Sequence, residues 1–105
     1  DVDVLSASAT DDTVAWYENG GSQSFTEHVL TNSANGAWFV SAADADGDGD
    51  VDVLSASATD DTVAWYENGG SQSFTEHVLT NSANGAWFVS AADADGDGDV
   101  DVLSA

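Results

Sequence analysis

An all-β fold built from four-stranded antiparallel units is predicted by three observations. Residues 1–49 recur without a substitution as residues 50–98, and residues 99–105 repeat residues 1–7. Each period holds four short segments rich in Val, Leu, Phe, Trp and Thr, separated by clusters of Asp, Asn, Gly and Ser, which is the pattern of strands joined by turns. No ten-residue stretch carries the spacing of an amphipathic helix.

The elements follow in order. Residues 51–56 form a Val/Leu run after an Asp/Gly cluster, and residues 62–67 form a second run of β-branched and aromatic residues. Thr59, Asp60 and Asp61 join them as good turn formers. Asn68-Gly69 is expected to supply the positive φ of a tight hairpin. The third segment, residues 73–79, alternates apolar and polar residues like a partly exposed strand. After a turn at residues 81–85, residues 87–92 make the fourth strand, whose small final residues suit a crowded innermost position. Four strands in a period of 49 residues match one blade of a β-propeller. The chain therefore divides into a first repeat at 1–49, a second at 50–98 and the start of a third at 99–105. Natural duplications drift, so identity at every position points to a designed or very recently amplified sequence.

Charge narrows the partners. Twenty acidic residues stand against no Lys or Arg, a formal charge of -20, and such self-repulsion opposes a compact state. Nucleic acid and anionic membranes are poor partners, because both are bound through cationic side chains. Cations are the natural ones. With no Cys, no disulfide holds the fold. The N-terminal Asp-Val-Asp-Val carries neither a basic region nor an apolar run, so no signal peptide is expected, and no stretch approaches membrane-spanning length.

The acidic loop carries the chemistry. Asp44, Asp46, Asp48, Asp50 and Asp52 occupy positions 1, 3, 5, 7 and 9 of a nine-residue segment with Gly49 at position 6, and Asp93, Asp95, Asp97, Asp99 and Asp101 repeat the pattern around Gly98. Calcium takes six to eight oxygens, and alternate side chains converge on one ion only where the backbone turns sharply, as glycine permits. Carboxylates of Asp44, Asp46, Asp48 and Asp52 with the carbonyl of Asp50 are expected to hold one Ca2+, and the second loop another. Magnesium demands a stricter octahedron, and zinc would bring His or Cys into the cluster. An EF-hand would need Glu at position 12 and flanking helices, whereas Ser55 stands there between strands. The competing reading is a solvated acidic turn.

These residues resemble the FG-GAP/VCBS repeats of integrin α-subunit propellers and of many bacterial secreted proteins. Residues 38–43, the loop from Asp44 to Asp52, and the following Val-Leu-Ser-Ala look like that family's innermost strand, DxDxDGxxD loop and second strand, and residues 64–68 resemble the bacterial members' third strand. The resemblance spans nearly the whole chain. It implies a propeller blade with a structural calcium between its first two strands, and a secreted or extracellular setting. Ligand binding does not carry over, since integrins use other loops and a partner subunit.

No nucleophile–base pair or Gly-x-Ser-x-Gly turn is present, so no enzyme is expected. His28 and His77 read as surface or packing residues. Trp16, Trp38, Trp65 and Trp87 are expected to pack between blades. Stacking on sugar rings, in a lectin-like propeller, is the alternative. The Asp11-Asp12 turn reads as a simple polar loop.

If the innermost strand leads each blade, the chain supplies three outer strands, one complete blade and the first two strands of another. Propellers close with about four to eight blades, so the chain is expected to associate with copies of itself head to tail until the ring closes. Four chains giving eight blades are favoured over three giving six. Residues 1–7 and 99–105 would then claim one slot at each junction, and residues 99–105, continuous with their own calcium loop, are expected to hold it.

Overall fold

The computed structural model describes residues 1–105, and they form nine β-strands and no helix. In chain order these are β1 (Val4–Ser8), β2 (Thr13–Asn19), β3 (Phe25–Thr31), β4 (Ala37–Ala43), β5 (Asp52–Ser57), β6 (Thr62–Asn68), β7 (Phe74–Thr80), β8 (Val89–Ala92) and β9 (Asp101–Ser104). They make three antiparallel sheets: β1-β2-β3, β4-β5-β6-β7 and β8-β9. The division into sheets of three, four and two strands is the one expected from the sequence.

Register is the same in corresponding strands. Val4 faces Tyr17 as Val53 faces Tyr66, and a bulge interrupts β2–β3 at Val14/Ala15 as it interrupts β6–β7 at Val63/Ala64. Because side chains alternate across a strand, each sheet has two distinct faces. One face of the central sheet carries Val53, Ala64 and Tyr66, which form a core with Val14, Ala34 and Ala37 and with the flanking Leu5 and Phe74. The opposite face carries Leu54, Ala56 and Val63, which pack with Ala86 and Val89 of the third sheet's segment and with Val102. The core therefore lies in two layers between sheets, and β5, between both layers, is buried along its whole length.

Turns depart from the sequence reading in two places. Asn68 is the last residue of β6, and the positive φ falls on Gly70, Ser71 and Gln72 instead of Gly69. The Asn68 side chain closes this turn, accepting from the Gly70 N–H at 3.1 Å and donating to the Val51 carbonyl at 3.0 Å. The Asp11-Asp12 turn also does more than stay solvated. Asp12, with φ of 60°, accepts from the Gly36 N–H on its carboxylate at 2.9 Å and from the Ala34 N–H on its carbonyl at 3.0 Å. Asp61 repeats the clasp on Gly85 and Ala83. The pair of Asp residues thus secures the crossing from one sheet to the next, and the Asp60 carboxylate accepts a further bond from the Asn35 N–H.

Candidate metal centre

The acidic loops join β4 to β5 and β8 to β9. Two glycines shape each: φ is 78° at Gly47 and 97° at Gly49, and 82° and 98° at Gly96 and Gly98. These values lie where a Cβ is strained, so position 4 of the loop needs glycine as much as position 6, which the spacing of the Asp residues alone did not reveal.

Short backbone bonds then draw the carboxylates inward. Asp44 accepts from the N–H groups of Gly47 at 2.8 Å, Asp48 at 3.1 Å and Gly49 at 3.0 Å, while Asp46 accepts from Asp48 and Asp48 from Asp50. The second loop repeats each of these bonds, with Asp93 at its centre. One carboxylate oxygen from each of Asp44, Asp46 and Asp48 lies within 4.8 Å of the others, and so do oxygens of Asp93, Asp95 and Asp101. The two sets together use loop positions 1, 3, 5 and 9. Asp50, Asp97 and Asp99 fall outside these clusters, and so does Asp52. Asp50 stands at the position whose carbonyl, in the sequence reading, turns to the ion.

Asp52 has a different local task. Fully buried, it accepts from the Ala45 N–H at 3.0 Å on one oxygen and from the Asn68 N–H at 2.8 Å on the other. One side chain thereby ties the start of the loop to the end of the third strand. In the first repeat Asp3 makes only the bond to Asn19, and Asp101 makes only the bond to Ala94. No local pattern in the sequence marks this clasp, because in an exact repeat every pair of residues recurs.

The donor set is all oxygen and strongly anionic. Loss of hydration within the loop raises the Asp46 carboxyl above the ordinary range, and the charges of Asp48, Asp52 and Glu67 push the same way. Oxygens within 4.8 Å of one another fit a calcium shell, whose ligands lie 2.3–2.6 Å from the ion and so about 5 Å apart across it.

The remaining candidate residues divide. His28 stacks on Trp16 at 4.3 Å between ring centroids and contacts Glu18 at 2.9 Å, and His77 stacks on Trp65 at 4.6 Å and contacts Glu67 at 2.7 Å. Trp16 is buried between the first two sheets and Trp65 is half-buried, whereas Trp38 and Trp87 are exposed and touch each other at 4.6 Å. Packing between sheets thus accounts for one tryptophan of each repeat and leaves the other on the surface.

The sequence model of the FG-GAP-like repeat matches the chain twice, at residues 1–55 and 44–104. No match was found among curated proteins or among solved structures. The first matched span contains one whole acidic loop and the second contains both, and together the two spans take in nearly every residue; the chain belongs to the FG-GAP-like repeat family.

Proposed function

We propose that the chain is a non-enzymatic, calcium-stabilised β-propeller scaffold that completes its ring by association with copies of itself. The observation that carries this reading is the convergence of three carboxylates in each loop, at equivalent places between the first two strands of a unit. Asp44, Asp46, Asp48 and Asp52 would hold one ion with the Asp50 carbonyl, and Asp93, Asp95, Asp97, Asp99 and Asp101 the other in the same way. Bound calcium supplies positive charge that offsets the repulsion among these side chains. The chain's own part is to hold the turn, through glycine and the bonds to Asp44 and Asp93, so that the strands on either side stay in register.

Ring assembly is supported by the unfinished outer sheets: β1-β2-β3 lacks an innermost strand and β8-β9 lacks two outer ones. A closed eight-bladed tetramer is the favoured assembly, and a six-bladed trimer the alternative. Both β1 and β9 are paired with their own neighbours in the chain, and at a junction β9 is proposed to keep the shared slot because the Asp93 loop holds it. The identical copies fit a designed or recently amplified origin.

The test is thermal unfolding in millimolar calcium against EDTA. A clear rise of the midpoint with calcium is expected, and an unchanged midpoint removes the structural metal. A second reading, a lectin-like surface, is favoured by the exposed Trp38–Trp87 pair alone; glycan-array binding lost in Trp38→Ala would establish it.

A further inference from the structure

The contact between the first two sheets has a latch at its outer margin. Phe74 of the second repeat lies 6.2 Å from Trp16, and Gln72 donates to Glu18 at 3.0 Å, while the other oxygen of Glu18 meets His28. Trp16, Glu18 and His28 stand on one face of their sheet, and Phe74 on the opposite face of the next, as the strand registers require. Each repeat therefore carries both halves of the latch. In this chain one half of each kind is left open: Trp65, Glu67 and His77 form the aromatic half with no Phe or Gln over it, and Phe25 and Gln23 form the covering half with nothing beneath. The openness is visible in exposure: Trp16 is buried and Trp65 only half-buried, and Phe25 is 49% exposed where its copy Phe74 is half-buried.

We infer that the covering half of one copy, Phe25 and Gln23, closes on the aromatic half of another, Trp65, Glu67 and His77, so that copies join through opposite faces in one direction only. This rests on the self-assembly proposed above and supplies its contact. The two halves are identical in sequence to Phe74/Gln72 and Trp16/Glu18/His28, which already meet within the chain, so their fit is that of an interface the molecule has formed. The latch lies on the outer strands and forms whether β1 or β9 fills the inner slot. A head-to-tail contact of this kind is heterologous and leaves a free half at each end until a ring closes.

Two variants of the 105-residue chain test this by native mass spectrometry in millimolar calcium. Phe25→Glu destroys only the covering half and Trp65→Glu only the aromatic half. Each alone is expected to be monomeric, and an equimolar mixture is expected to give a 1:1 heterodimer and nothing larger, because one intact junction remains. Should Trp65→Glu not fold by far-UV circular dichroism, His77→Glu takes its place. A homodimer of either variant, or a mixture that stays monomeric while the unaltered chain assembles, overturns the inference. If the mixture pairs and the unaltered chain grows into open chains, the latch stands and the closed ring is lost.

Discussion

The two repeats share every residue, yet they do not share surroundings, and the differences between them isolate what a neighbouring sheet does. Asp52 is buried and makes two bonds, whereas Asp3, its copy, is exposed and makes one. Tyr66 is buried with its hydroxyl unpartnered, whereas the Tyr17 hydroxyl meets Glu27 at 3.2 Å. Trp16 gains Phe74 as a cover and Trp65 gains none. Turn φ values and the registers of β1-β2-β3 recur in β5-β6-β7, while β8, the copy of β4, is shortened to Val89–Ala92 where fewer strands lie beside it. Burial does not recur. The 49-residue unit thus specifies its own strands and turns, while most of its core exists only in the contact between units, which is the expected energetics of a repeat protein.

The sharpest break in this comparison is expected at the Asp clasp. Asp52→Ala leaves two half-buried N–H groups without their charged acceptor, and such bonds contribute about 1.5–3 kcal/mol each. Measured in EDTA to keep metal out of the comparison, it should cost about 3 kcal/mol or more and lower the thermal midpoint by over ~12 °C. Asp3→Ala, losing one exposed bond, should cost about 1 kcal/mol or less. Equal losses would show that neither the added bond to Ala45 nor the burial of Asp52 separates the copies.

A smaller asymmetry is expected at the crossing glycines. Gly36 and Gly85 have φ of 69° and 67°, so alanine is strained at both by about 1 kcal/mol. At Gly36 an added Cβ would also collide with the Thr59 side chain, whereas at Gly85 the nearest atom is Trp87 Nε1 at 4.0 Å. Urea titration should place Gly36→Ala below Gly85→Ala by a further ~1–3 kcal/mol, the cost of forced overpacking. The order of the two midpoints is the check.

Much of this was legible in the residues. Strand positions follow from β-branched and aromatic runs, and the acidic loop from Asp at alternate positions, because both signals are local. What stayed hidden was set by partners distant in the chain. The second task of Asp52, beside that of a loop ligand, stayed out of sight because its bond to Asn68 depends on β5 and β6 lying side by side. The sequence does not separate the tryptophans, but Trp16 and Trp65 point between sheets while Trp38 at the start of β4 and Trp87 just before β8 are exposed, a distinction that needs sheet register. Asp12 appeared to be a polar turn because its acceptor role serves a loop 24 residues away.

The smallest effect, and one of opposite sign, is expected at Tyr66. Its hydroxyl is buried near Ser55 and Glu76 without a hydrogen bond of good geometry to either, and burial pushes its pKa from 10.0 up to about 12. Tyr66→Phe removes an unpaired polar atom while keeping the ring, so near neutral pH it should be neutral or stabilising by up to about 1 kcal/mol, whereas Tyr17→Phe gives up the bond to Glu27. The alkaline limb separates the effects further. Above pH 10 the unfolded chain ionises this phenol and the folded chain does not, so the stability tied to the neutral form is full below pH 10 and falls as pH rises toward 12. The slope from this one group is about 1.4 kcal/mol per pH unit. Denaturant midpoints followed between pH 9 and 12 should therefore fall less steeply in Tyr66→Phe than in the unaltered chain. Parallel curves would mean that the phenol is not sealed between the sheets, and that the second repeat's core is no drier than the first's.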